Sequence, residues 1–279
     1  MPSMKSLIDT LKCLPNPDER FKFLSVHGFY KNIPDEEYLK KKFKIMVGYE
    51  LNLEDPTTFS EKLQWYKLYY HNPILTKLVD KYEVKQFVAE KLGKEHVIPA
   101  LGVWEQFEDI DFDKLPNQFV LKCTHDSGGQ VIVKDKQQFD IRTARKRINN
   151  CMKRNYFYSG REWAYKNVPH RIIAEPYIDS LGGENSVEYK LTCFDGVVKL
   201  VTVCKGIAHT SLDKRTNDHY DRDLNRLPFY VYYKNPTEPS VIPEQIHDMI
   251  EYAETLSAGL PQVRVDFYLP ESVKLSFKI

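Results

Sequence analysis

The sequence predicts an α+β fold in two lobes, on three observations. Residues up to about 75 carry helical periodicity broken by proline-containing turns. From Phe119 onward short alternating runs take over, and these fall in the order helix, hairpin, helix, then hairpin, helix, strand. Such a succession suggests two α+β lobes behind a helical N-terminal segment.

Each element has its own signal. In 58-TFSEKLQWYKLYY-70, Thr58 and Glu61 have capping-box spacing, and Phe59, Leu63, Tyr66 and Tyr70 recur at helical intervals on one face. That aromatic stripe reads as core, not as a platform for stacking bases. In 80-DKYEVKQFVAEKLG-93, Asp80 can cap, Val84, Phe87, Val88 and Leu92 form the stripe, and Gly93 ends the helix ahead of Pro99. The runs 119-FVLKC-123 and 130-QVIVK-134 read as two strands joined by a polar, glycine-containing loop, THDSGG, and a helix with Ile141, Ala144, Ile148 and Cys151 on one side follows. After 171-RIIAE-175 come 187-VEYKLTCF-194 and 197-VVKLVTVC-204, joined by Asp195-Gly196, a strong signal for a two-residue antiparallel hairpin. The stretch 205–229 reads as a long polar substrate loop. Pro243 opens a helix through Ile246, Met249, Ile250, Ala253 and Leu256, Gly259 closes it, and 262-QVRVDFY-268 is a strand.

Composition narrows the function classes. Forty Lys+Arg against thirty-nine Asp+Glu leave a net charge of +1, so no global basic field favours nucleic acid, and any phosphate binding must be local. Apolar runs are strand-sized and interrupted by charge, far below the roughly 20 residues of a membrane helix. The charged N-terminus lacks the apolar core of an export signal, which places the chain in the cytoplasm. The odd set Cys13, Cys123, Cys151, Cys193 and Cys204, without a C-x-x-C pair, predicts reduced thiols and neither a disulfide framework nor a zinc cage.

Strand alternation selects the residues able to carry chemistry. In 119-FVLKC-123, Phe119, Leu121 and Cys123 point one way and Val120 and Lys122 the other, so Lys122 projects from an apolar strand just before Gly128 and Gly129. A loop with glycines at positive φ can bring backbone N–H groups to an anion, with the lysine as a point charge. The plainer alternative is an edge-strand lysine beside an ordinary turn. Glu188, Lys190 and Thr192 share one face of their strand, as do Arg264, Asp266 and Tyr268. Charge at mid-strand on several strands can be a solvated salt-bridged face, or it can line one cleft where carboxylates hold Mg2+ and cations hold phosphates.

The ordered segments DKYEVKQFVAEKLG, Pro99, LPNQFVLKCTHDSGG, RIIAEPYI, VEYKLTCFDG and QVRVDFY resemble the ATP-grasp superfamily, and more narrowly the TupA-like proteins of teichuronopeptide biosynthesis, from about Phe59 to Phe277. Proteins of that kind are often called glycosyltransferase or polysaccharide biosynthesis proteins. The resemblance implies antiparallel sheets clamping ATP, with Mg2+ as the second cofactor. It also implies an ATP-dependent carboxylate–amine (or similar) ligase that works through an acyl phosphate on a small-molecule or glycan acceptor. It divides the chain into a helical segment (1–75), a first lobe with the phosphate loop (76–173) and a second lobe with hinge and metal strand (174–279).

By position, Lys81 and Lys122 resemble the two nucleotide-contacting lysines, and Ser127, Gly128 and Gly129 the flap over the phosphates. Glu175, Pro176, Tyr177 and Ile178 resemble the hinge whose last two residues offer backbone groups to adenine. Glu188 falls where an acidic residue meets the ribose or triphosphate, Asp266 resembles the first Mg2+ ligand, and Arg264 the catalytic cation. Members continue into a strand with a Gly-Glu-Leu-Thr-like sequence whose glutamate bridges the metals. Here 273-VKLSF-277 resembles only its start, and Glu271 lies in the preceding turn. The expectation is a chain that binds ATP, turns it over poorly and leaves 262–268 with an exposed edge.

Two other classes compete. The D-x-D patterns in 109-DIDFD-113 and 221-DRD-223 would suit the metal of a nucleotide-sugar glycosyltransferase, although so short a pattern recurs by chance in acidic chains. A noncatalytic ATP-binding protein would fit the missing glutamate. His125 and His209 stay unassigned, with no nucleophile recognisable by spacing.

Overall fold

Helix starts in the N-terminal segment follow capping chemistry. In the computed structural model, which describes residues 16–26, 28–178, 186–206, 214–269 and 276–278, helix α1 spans Pro17–Val26 and α2 Asp35–Val47, the latter ending at Gly48 in the left-handed region (φ 93°). Helix α3, Phe59–Tyr69, has the complete capping box: the Thr58 hydroxyl accepts from the Glu61 N–H, and the Glu61 carboxylate accepts from the Thr58 N–H. Tyr66 and Tyr70 pack against the core as expected, but Phe59 is half exposed, its ring edge-on to Phe194. Helix α4 is Ile74–Val79 and α5 Glu83–Leu92. Asp80 Oδ1 accepts the N–H groups of Tyr82 and Glu83 at 2.8 and 3.4 Å, so it caps α5 as its position predicts.

The first sheet holds β1 (Gly102–Trp104), β2 (Phe119–Cys123), β3 (Val131–Val133) and β4 (Ile172–Pro176) in the order β1-β4-β2-β3, with all pairs antiparallel. Strand β2 is therefore central, which removes the edge-strand reading of Lys122. Helix α6 (Ile141–Met152) lays Ala144, Ile148 and Cys151 on the buried face formed by Phe119, Leu121, Cys123, Ile172 and Ala174, while Ile141 remains exposed. A single turn, α7 (Phe157–Gly160), follows.

The second sheet has β5 (Val187–Phe194), β6 (Val197–Lys205), β7 (Thr216–Tyr220), β8 (Gln262–Tyr268) and β9 (Ser276–Lys278), ordered β7-β6-β5-β8-β9 and antiparallel throughout. Asp195 and Gly196 both take positive φ (49° and 78°), the paired left-handed geometry that matches strand twist in a two-residue hairpin. Helix α8 (Ile246–Ser257) buries Met249, Ala253 and Leu256 in one core with Leu191, Val201, Val265 and Phe267.

Two expectations are corrected. Residues 205–229 are not one loop, because β7 lies inside them. Its buried polar side chains are partly satisfied: Asp218 accepts from Arg226, Tyr220 and the Ser240 N–H, each at 2.8 Å, and the His219 ring meets Thr202 Oγ1 at 3.0 Å, while His219 Nε2 and Asn217 Oδ1 have no hydrogen-bond partner among the described residues. Nor is β8 left wholly unpaired, since β9 pairs with Asp266–Tyr268, and among the described residues only the Gln262–Val265 half of that edge has no partner strand. Glu271 and His209 fall outside the described residues. The described cysteines are all buried free thiols, and among the described residues no helix is long and apolar enough to cross a membrane.

Candidate active site

The alternation of β2 places Val120 and Lys122 on the face away from α6, and register puts Val120 opposite Glu175 and Lys122 opposite Ile173. Lys122 reaches diagonally to Glu175, which also takes Lys85 at 2.6 Å from α5. The result is one nearly buried carboxylate between two lysines. Burial alone would raise the Glu175 carboxyl, but Lys122 and Lys85 outweigh it and hold it below the ordinary range. Lys85 was not singled out by sequence reasoning. The available signal was a lysine three and seven residues before Val88 and Leu92, at the margin of the apolar stripe.

Lys81 sits at the turn into α5 and donates to the Asp126 carbonyl at 2.5 Å, beside the glycine loop. Burial and the neighbouring Lys122 charge push its pKa down. In the loop, Gly128 and Gly129 both have positive φ (97° and 69°), as an anion cradle requires. Ser127 takes its place by donating its N–H to Asp126 Oδ1 at 2.8 Å, and Asp126 also pairs with Arg154. A Cβ at Gly129 would collide with Cys151 Sγ, whereas at Gly128 nothing stands in the way. Gly129→Ala should therefore destabilise the fold by about 2 kcal/mol and Gly128→Ala by about 1, from strained φ alone, as read from urea midpoints. Equal costs would show that the loop relaxes freely over α6.

The second sheet carries a charged row of its own. Register sets Glu188 opposite Tyr268, Lys190 opposite Asp266 and Thr192 opposite Arg264, so residues singled out by parity on separate strands share one face. Arg264 grips Asp266 with both nitrogens (2.6 and 2.8 Å), Tyr268 Oη donates to Glu188 at 2.5 Å, and Lys190 stands 3.2 Å from Glu188. The Tyr268 hydroxyl is pushed up by burial and the Glu188 carboxylate. Cys204, opposite Glu188 on β6, is raised by burial to about 11, a thiol that stays protonated. Burial, then the charge of Glu162, pushes the Tyr165 hydroxyl up, and Asp126 at the glycine loop and Arg264 on the second sheet both lie within its electrostatic reach. Neither Tyr165 nor Tyr156, whose ring it meets at 4.8 Å, carried a sequence signal.

Tyr177 and Ile178, expected at a hinge, directly follow β4, half-buried, with Lys134 over the Tyr177 ring at 5.4 Å. One aspartate of each D-x-D pattern is engaged locally. Asp221 accepts from the Asn225 N–H and side chain (2.8 and 2.9 Å), and Asp111 from the Asp113 N–H and Lys114. An open depression of about 530 Å³ beside Arg222, Asp223, His247 and Glu254 lies on the α8 side of the molecule, and the Arg222–Glu254 ion pair at 2.8 Å occupies part of its wall. His125 stacks on His170 at 3.7 Å and is pushed down to about 4, chiefly by burial and then by His170, so it stays neutral.

The chain is similar in structure to the D-cycloserine synthetase DcsG (17% identity, 74% of this chain and 62% of that one, TM-score 0.42). It is also similar to the N5-carboxyaminoimidazole ribonucleotide synthetase purK in its ADP complex (15%, 74% and 45%, TM-score 0.45) and to an L-amino acid ligase from Bacillus licheniformis (13%, 98% and 53%, TM-score 0.45). It spans less than two thirds of each of these proteins. No curated protein matches the sequence. The family described as TupA-like ATPgrasp matches residues 61–277, which include the first sheet, all of the second but Lys278, and every residue of the two charged rows. The chain belongs to the TupA-like ATP-grasp family.

Proposed function

We propose that the cleft binds ATP with Mg2+ and that the protein is an ATP-dependent carboxylate–amine or similar ligase acting in the cytoplasm in cell-surface polysaccharide or teichuronopeptide assembly. The observation that supports the reading is a row of charged side chains on each sheet. One holds Lys81, Lys85 and Lys122 beside a loop whose two glycines have positive φ; the other holds Glu188, Asp266 and Arg264.

The residues fit a divalent cation. Glu188 and Asp266 offer carboxylates from adjacent strands on one face, and Mg2+ takes one or two carboxylates with phosphate oxygens and water. Bound there, Mg2+ supplies charge neutralisation at the phosphate oxygens. Lys122 and Lys81 hold the α and β phosphates, with Glu175 orienting Lys122. The Ser127–Gly129 backbone covers the phosphates and keeps water out, and the peptide groups of Tyr177 and Ile178 read the adenine edge. An acceptor carboxylate oxygen attacks the γ phosphorus and ADP leaves. An amine or similar nucleophile then attacks the acyl carbon and phosphate leaves, with Arg264 stabilising the charge on the acyl oxygens.

A thermal-shift panel of ATP, GTP, UDP-glucose and UDP-N-acetylglucosamine with Mg2+ tests the reading. ATP should give the largest shift, and a larger shift with a UDP-sugar would transfer the protein to the glycosyltransferases. Lys122→Ala should weaken ATP binding by about 1.5–3 kcal/mol, roughly 10- to 150-fold, as for a charged hydrogen bond. Unchanged ATP affinity in that variant would remove Lys122 from the site.

A further inference from the structure

The β7 edge of the second sheet extrudes an aromatic turn. After β7 the chain reverses through 221–225 and returns along the strand: Tyr220 and Arg226 form an antiparallel bridge, and the Leu227 N–H donates to the His219 carbonyl at 2.8 Å. Further along, the Asn217 N–H donates to the Lys234 carbonyl at 3.2 Å. The return from Leu227 to Lys234 thus answers the short step from His219 to Asn217 on β7, so the surplus residues, 228–233, must bulge out from the sheet edge.

The bulge is pinned from beneath. The Phe229 ring stacks on His219 at 4.7 Å, and the Phe229 carbonyl accepts from Asn235 Nδ2 at 3.0 Å. The Val231 carbonyl accepts from Asn217 Nδ2 at 3.3 Å and from the Tyr233 N–H at 2.7 Å. That last bond closes the chain around Tyr232 at φ 62°, a left-handed conformation uncommon outside glycine. Arg215 donates to the Tyr233 hydroxyl at 3.2 Å. Held in this way the turn presents Tyr230 and Tyr232 outward, 70% and 93% exposed, with Phe229 and Val231 also exposed beside them. A run of exposed apolar side chains on a pinned turn marks a contact surface.

Charge selects the partner. The segment 224–237 contains Arg226 and Lys234 and no acidic residue, with Asp223 and Glu238 just outside it, and Lys214 and Arg215 directly precede β7. Arg226 is committed to Asp218 at 2.8 Å, which leaves Lys214, Arg215 and Lys234 to set the sign of the tip. Lys214 and Lys234 are exposed. A second copy offering the same tip would meet like charge, whereas an anionic surface is matched. Tyrosine rings, apolar in body and polar at the end, settle at a membrane–water interface, and lysines beside them are drawn to anionic headgroups. A convex turn encloses no ligand, but it can enter a headgroup layer.

We infer that residues 229–233 form a docking tip that seats Tyr230 and Tyr232 in the headgroup layer of an anionic lipid bilayer, with Lys214, Arg215 and Lys234 against the headgroups. The inference is independent of the nucleotide reading. Register runs from His219 to Thr202, Lys190 and Asp266 across β7, β6, β5 and β8 on one face. A chain docked by this edge therefore carries the charged face of the second sheet beside the membrane.

The test is co-sedimentation of the full chain with vesicles of phosphatidylcholine alone and of phosphatidylcholine mixed equally with phosphatidylglycerol. The native chain should bind the mixed vesicles about tenfold or more tightly than the neutral ones, and the preference should fade with added salt. Tyr230→Ser combined with Tyr232→Asn, where asparagine keeps the left-handed backbone, should weaken binding to the mixed vesicles about tenfold, and Lys214→Gln combined with Lys234→Gln about as much. Tyr69→Ser, which removes an exposed ring on α3, should change nothing. Unaltered urea midpoints show that each variant is folded, and Tyr232→Trp gives a second readout: emission beyond that of the native chain, quenched by brominated lipid in the mixed vesicles. No preference for the mixed vesicles, undiminished binding in the tyrosine variant, or an unquenched Tyr232→Trp each overturns the membrane tip, and the first assigns the exposed rings to a protein partner.

Discussion

Glu175→Ala is expected to destabilise the fold by about 3 kcal/mol, because it leaves Lys85 and Lys122 facing each other without their shared counter-ion. The value sits at the low end for breaking a buried pair, since the lysine side chains retain 16% and 26% exposure while Glu175 retains 8%. ATP should stabilise this variant more than it stabilises the native chain, the phosphates replacing the lost carboxylate. The pH dependence has a definite sign. The folded-state carboxyl is held below its ordinary value, so its contribution is present above about pH 4 and is lost as pH falls through the depressed folded-state value. The stability gap between native protein and Glu175→Gln, read from urea midpoints, should narrow with acidification below that point. A gap independent of pH would mean that the carboxylate is not ion-paired in solution.

Asp266→Asn is expected to lower Mg2+-dependent turnover by about 10²–10³-fold, the scale seen when one charge-stabilising group is lost from a reaction centre. Asparagine keeps the shape and an acceptor oxygen for Arg264, so the strand and its bidentate partner are disturbed little, and the change falls on the metal. The Mg2+ concentration that half-saturates the ATP-induced thermal shift should rise at least tenfold. If it does not move, Asp266 serves only to hold Arg264, whose grip on both carboxylate oxygens is the resting arrangement, and Glu188 becomes the metal residue to test.

These two residues show how far the sequence could be read. Asp266 was legible because alternation along 262-QVRVDFY-268 is set by covalent geometry: charge at Arg264 and Asp266 and apolar side chains at Val265 and Phe267 must point to opposite faces. The same local logic placed Lys122, the Thr58–Glu61 capping box and the Asp195-Gly196 turn. Glu175 was found only through family resemblance, as a hinge residue, and its bond to two lysines depends on β4 lying beside β2 and on where α5 docks.

Strand β7 escaped for a related reason. Asn217, Asp218 and His219 are polar, and the alternation that marks a half-buried strand vanishes when polar side chains are buried against tertiary partners. Short-range periodicity therefore settles which residues share a strand face or a helix cap. Which charges meet was decided only by the packing of the helices and the register of the two sheets, because Coulombic and hydrogen-bond partners are chosen by distance in space and not along the chain.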